Sequence, residues 1–144
     1  MRNPSIPAAA ALLLLAAPAA AQVSWAELRG KLLDKAGELF AGEGYHALGF
    51  THEGALEDGA SEQVTLDLAA GGEIVLVGIC DADCSDFDIV LLDPEGGQVG
   101  ADVEMDDVPI VRTEPARTGR YTVTVQMAEC TVDPCRYAIQ LFAR

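Results

Sequence analysis

The stretch from Cys80 to Tyr121, CDADCSDFDIVLLDPEGGQVGADVEMDDVPIVRTEPARTGRY, most limits what this chain can fold into. An acidic turn bracketed by Cys80 and Cys84 runs into the apolar strand Ile89-Val90-Leu91-Leu92. Asp93-Pro94-Glu95-Gly96-Gly97 then reverses the chain, because proline presets φ and glycine permits positive φ. Thr118-Gly119-Arg120-Tyr121 launches another strand, in which Tyr121, Val123, Val125 and Met127 alternate onto one face.

The same grammar extends in both directions. Tyr45 to His52 reads as a strand that ends in a connector from Glu53 to Ala60. Gln63 to Leu68 alternates, with Val64, Leu66 and Leu68 on one face. Glu73 to Cys80 is apolar on both faces, the mark of a central strand covered on two sides, and Phe87 to Asp93 is another such strand. A weaker region runs to Asp107, followed by Val108 to Arg112. Arg136 to Arg144 closes the set with Tyr137, Ile139, Leu141 and Ala143 in alternation. Seven or eight short strands with regular turn signals predict an all-β, antiparallel two-sheet sandwich over residues 45–144.

One helix precedes it, in residues 22–44. Ser24 and Glu27 form a capping box, with Val23 and Leu28 at the staple positions. Trp25, Leu28, Leu32, Ala36 and Leu39 recur at helical spacing, Leu33 and Phe40 widen the stripe, and Gly42 and Gly44 stop it. The stripe either packs on the sandwich or meets a partner; Trp25, Leu28 and Leu32 are the candidate partner-binding residues.

Residues 1–21 read as a secretory signal peptide: Arg2 in the n-region, an apolar run from Ala8 to Ala17, and Ala19-Ala20-Ala21 before cleavage at Gln22. The run is too short to span a membrane, so no membrane insertion is expected after cleavage. Removing 21 of 144 residues leaves 123, enough for one domain with its own core, and moves the formal charge from −14 to −15. Ala36 to Val111 contains no lysine or arginine. That acidity argues against nucleic acid and against anionic membrane surfaces, and leaves cations or basic partners open. The expected location is periplasmic or secreted. In an oxidising compartment Cys80, Cys84, Cys130 and Cys135 read as two disulfides. Three pairings are formally open; the local pairs Cys80–Cys84 and Cys130–Cys135 are favoured over a cross-link between the two turns. C-x3-C and C-x4-C spacings are loose for a zinc site, and no C-x-x-C motif supports redox chemistry.

From Gly54 to the C-terminus the sequence resembles the bacterial pre-peptidase C-terminal domain. The resemblance rests on Gly54-Ala55-Leu56, the strand Val64 to Leu68 followed by Ala70-Gly71, and Ser85-Asp86-Phe87-Asp88-Ile89. It continues through Asp93-Pro94-Glu95-Gly96-Gly97 and Thr118-Gly119-Arg120-Tyr121-Thr122-Val123. It implies a jelly-roll-like sandwich and a non-catalytic role in secretion, solubility or substrate attachment. Such domains usually trail exported enzymes; here the expectation is a stand-alone module that carries a helix and two cysteine turns besides.

Few groups could carry chemistry. Asp81, Asp83, Asp86 and Asp88 are candidate calcium ligands, since hard cations take six to eight oxygens, although the frame is not that of an EF-hand. Their ordinary use is to cap backbone N–H groups in turns. Asp102, Glu104, Asp106 and Asp107 read as a solvated loop. His46 and His52 lack a third ligand, and Ser61 and Ser85 lie in no nucleophile motif. The expectation is a non-enzyme without an obligatory cofactor, binding a protein or polysaccharide. A calcium-dependent binding module is the alternative, and a small hydrolase is disfavoured for want of a nucleophile and base.

Overall fold

Among the described residues eight strands pair as one long hairpin folded over on itself. The computed structural model describes residues 22–144; the expected signal peptide, 1–21, lies outside the described residues. After the helix α1 (Trp25–Gly42) come β1 (His46–Leu56), β2 (Ser61–Leu68), β3 (Ile74–Cys80) and β4 (Cys84–Leu92). The return half is β5 (Gln98–Asp102), β6 (Ile110–Thr113), β7 (Gly119–Cys130) and β8 (Cys135–Ala143). β4 pairs β5, β3 pairs β6, β2 pairs β7 and β1 pairs β8, all antiparallel. Rolling this ladder up adds β3–β8 and β4–β7 contacts. The products are two four-stranded sheets, β1-β8-β3-β6 and β2-β7-β4-β5, the connectivity of a jelly roll.

Alternation decides what lies between the sheets. Leu66, Leu68, Leu76, Phe87, Ile89, Leu91, Tyr121, Val123, Val125, Met127, Tyr137 and Ile139 fill the interior. The other face of β3, Val75, Val77 and Ile79, forms a second cluster with Ala138 and Phe142 under Ala36 and Phe40 of α1. That accounts for the uninterrupted apolar run of β3: one face meets the opposite sheet and the other meets the helix. The capping box is formed, Glu27 N donating to Ser24 Oγ at 3.3 Å. Ion pairs from Arg29 to Glu53 and from Arg112 to Glu43 tie α1 and the turn after it to the sandwich.

Two expectations are corrected. β1 does not stop at His52 but runs to Leu56, paired with β8 throughout that extension. Gly54, read as part of a connector, is a close-packing glycine: a Cβ there would lie 2.6 Å from the Tyr137 ring and 2.7 Å from Glu62 Oε1. β5 occupies the region read only as a weaker one. Its sequence, Gln98–Asp102, has only Val99 and Ala101 as apolar side chains, so pairing with β4, and not burial, defines it.

Candidate functional site

The helix leaves part of its sheet uncovered. Ala36 and Phe40 are buried, while Trp25, Leu32 and Leu33 are partly buried against the same cluster. Most of the predicted stripe is therefore consumed in packing α1 onto the sandwich. Leu39, one turn from Ala36 on the flank, is 59% exposed. Between that flank and β6 runs a groove of about 210 Å³, lined by Leu32, Leu39, Phe40, Val77, Val108 and Ile110 among others. Lys35 is the only charged residue in the lining, and it pairs with Glu38 at 3.5 Å.

Val108 on the far wall closes the loop between β5 and β6, where the sequence reads Val-Glu-Met-Asp-Asp-Val from Val103 to Val108. Val103 and Met105 are the most exposed of the large apolar residues, at 62% and 84%. The loop is nonetheless held firmly. Phe87 N donates to Asp106 O at 2.9 Å, and Gly78 N donates to Pro109 O at 2.9 Å. Val108 N donates to Asp106 Oδ1 and Ile110 N to Asp102 Oδ2. Exposed apolar side chains on a backbone anchored to β3 and β4 and closed by its own carboxylates are a displayed surface, not a collapsed one. The loop read from sequence as solvated is exposed from Val103 to Val108; its interleaving of apolar and acidic residues was the sequence signal for the exposed Val103 and Met105.

The remaining predicted residues are distributed differently. Trp25 and Leu28 join Gln22, Val23, Asp81, Ala82 and Asp83 around a second cavity of about 270 Å³, beside the cysteine turn. The structure thus brings two of the helix candidates next to two of the acidic ones. The disulfides are the local pairs, Cys80–Cys84 and Cys130–Cys135. Each joins a strand of one sheet to a strand of the other, β3 to β4 and β7 to β8.

The four aspartates do not come together. Asp81 spends both oxygens on backbone N–H groups, of Asp83 and of Arg136. Asp83 stays in the turn, its carbonyl accepting from Thr131. Asp86 and Asp88 point from the outer face of β4, each with a solvent-shielded Oδ1 that has no hydrogen-bond partner. Among the described residues no set of three or more His, Cys, Asp or Glu could hold a metal ion. The local geometry of the turn is the reason: a carboxylate already closing a backbone turn is not free to converge on a cation.

Asp88 has a consequence of its own. Partial burial, followed by the charges of Asp86, Asp102 and Asp106, pushes its carboxyl above the ordinary value of 3.8. A carboxyl raised on folding holds its proton more tightly in the folded state. Its favourable contribution is complete below 3.8 and is lost as the pH rises through the raised value. At neutral pH the charge is a burden. Asp88→Asn should therefore raise stability at pH 7 by about 1 kcal/mol, since the amide carries no charge to be shielded from solvent or to repel Asp86. The gain should shrink as the pH falls through the raised value and be gone below 3.8. Thermal melts with EDTA and with calcium decide the matter. Were calcium bound here, saturation at 100 times Kd would add about 2.7 kcal/mol to the unsubstituted chain, and the variant would forfeit it.

The histidines lie apart. His52 Nε2 is 3.5 Å from Glu62 Oε1, which also accepts from the Tyr137 hydroxyl. The cluster bridges edge strands β1 and β2 and satisfies the phenol of a fully buried tyrosine.

The solved structures that resemble this architecture include two from bacteria. One is the pre-peptidase C-terminal domain of a collagenase from Bacillus anthracis, with a TM-score of 0.50 and 16% identity, covering 64% of this chain and 87% of that one. The other is PliG of Aeromonas hydrophila, a periplasmic inhibitor of g-type lysozyme, with a TM-score of 0.47 and 14% identity, covering 66% of this chain and 85% of that one. No family model and no curated protein matches the sequence. The chain has a fold like that of the pre-peptidase C-terminal domain, and at these identities the likeness is one of fold.

Proposed function

We propose that this protein is an exported, non-catalytic β-sandwich module that binds another protein on the face formed by α1, β3 and β6. The observation that carries the reading is the open groove whose wall includes Leu39, Val108 and Ile110, each more than a third exposed. Apolar side chains held on a rigid frame lose little entropy on binding, which favours an interaction surface over accidental exposure. A polysaccharide would need hydrogen-bonding groups aimed at its hydroxyls, and the lining supplies none apart from the paired Lys35. Paired cysteines in two clamps fit an oxidising compartment.

The test uses the immobilised chain and an envelope extract of the producing cell. It should retain a protein that the double variant Leu39→Ser, Ile110→Ser releases, while circular dichroism shows that variant folded. Retention of nothing, or equal retention by both forms, counts against the reading. So does turnover of peptide, ester or glycoside substrates by the purified chain.

A further inference from the structure

We infer that the first three turns of α1, Trp25 to Lys35, form a lid on the sandwich, lifting as a unit about Gly37 to widen the groove over β3. The inference rests on the binding reading above and adds how access to that face is regulated.

The two ends of the helix are held unequally. At the C-terminal end the Phe40 ring lies 5.1 Å from that of Phe142 and 6.0 Å from that of Tyr45. Arg112 sits 5.1 Å over Phe40 and donates from Nη1 to Glu43 Oε2 at 2.9 Å and from Nη2 to Oε1 at 3.2 Å. Arg144 lies 4.8 Å over Tyr45 and donates to the Glu43 carbonyl at 3.2 Å. The N-terminal end has no such clasp. Among the described residues its one ion pair to the sandwich joins Arg29 to Glu53, whose side chains are 31% and 44% exposed. A pair so exposed holds weakly and is screened by salt. The pairs Lys31–Glu27 and Lys35–Glu38 lie within the helix and tether it to nothing. Trp25, Leu32 and Leu33 are only partly buried, and open volume flanks this half, at Trp25 and Leu28 on one side and at Leu32 on the other.

The helix is also weakened from within. Gly30 and Gly37 are interior positions, where glycine is a poorer helix former than any residue but proline. Packing does not require them: a Cβ at either would meet nothing within 4 Å, and neither has a positive φ. Gly37 divides the clasped turns from the unclasped ones. Both disulfides join strand to strand and leave α1 untethered, so the lid can open without loosening the sandwich. Leu32 shares the groove lining with Val77 and Ile79, each 1% exposed, and lifting it would uncover them. Leu39, Val108 and Ile110 stay on the fixed side of the hinge.

Native-state hydrogen exchange of the full chain, followed by NMR, tests the lid. Amides from Arg29 to Lys35 should share one opening constant, about a hundredfold larger than that of Val77 and Ile79, with a step to stronger protection beyond Gly37. Gly30→Ala with Gly37→Ala should lower that constant about tenfold. Glu53→Gln should raise it about threefold. Protection that climbs residue by residue along the helix is end fraying and overturns the inference. So does protection as strong as that of β3, or an opening constant that neither variant moves. In the envelope-extract assay the double-alanine chain should retain about tenfold less of the protein, because the binding-competent fraction falls by that factor. Equal retention by this closed form overturns the regulation. If the unsubstituted chain retains nothing, the binding reading falls and the exchange results alone decide the lid.

Discussion

Replacing all four cysteines by alanine should cost about 4 kcal/mol of unfolding free energy, a large share of the ~5–15 kcal/mol that a domain possesses. The bonds span only 4 and 5 residues, so chain-entropy arguments assign each about 2 kcal/mol. Position raises their importance. Cys84 and Cys130 face each other in the β4–β7 register, so both bonds sit at one end of the sandwich. There they join the two sheets, with all four residues buried. Removing one pair leaves the other to hold that end, so each double substitution should cost less than half of the quadruple one. Urea denaturation of the four forms measures this coupling directly. If the quadruple variant unfolds within about 1 kcal/mol of the unsubstituted chain, the bonds are not clamps between the layers.

Local spacing made the cysteine pairing readable, but not what it connects. A four-residue separation announces a turn; whether the turn lies within a sheet or crosses between sheets depends on the whole strand order. The same division recurs along the chain. Strong alternation in β7 and β8, and the doubly apolar β3, could be read from sequence because each residue's neighbours along the strand report its burial. β5 was missed because it contributes little to the core and owes its extended form to hydrogen bonds with β4. Gly54 misled because a glycine that makes room for the Tyr137 ring looks, in sequence, like a glycine that turns the chain.

The candidate site was least legible. The helix stripe was visible, yet its division into Ala36 and Phe40 facing inward and Leu39 facing the groove depends on where β6 ends. The acidic turn drew attention by its density of aspartates. Its members instead close backbone turns or stand on an outer sheet face, which only coordinates distinguish from a ligand cluster.

Gly78→Ala should destabilise the chain by about 1–3 kcal/mol and disturb the groove as well. A Cβ at Gly78 would sit 2.8 Å from Phe87 Cε1, 2.8 Å from Pro109 Cγ and 2.9 Å from Ile89 Cδ1. The Phe87 ring cannot retreat: it is fully buried and tilted against Tyr137 with centroids 5.1 Å apart. Phe87→Ala alone should cost about 3–5 kcal/mol through the cavity it leaves. The two together should cost less than their sum, because the added methyl occupies part of the space the ring vacates, giving a coupling of about 1 kcal/mol or more. Pro109 is the second neighbour in this contact and lies between Val108 and Ile110 on the groove wall. Its carbonyl accepts from Gly78 N, so an alanine that pushes on the proline ring also shifts the wall. Gly78→Ala should therefore weaken retention of the envelope protein at a temperature where the variant is still fully folded. Unchanged affinity in that variant would mean that the core and the groove are mechanically independent.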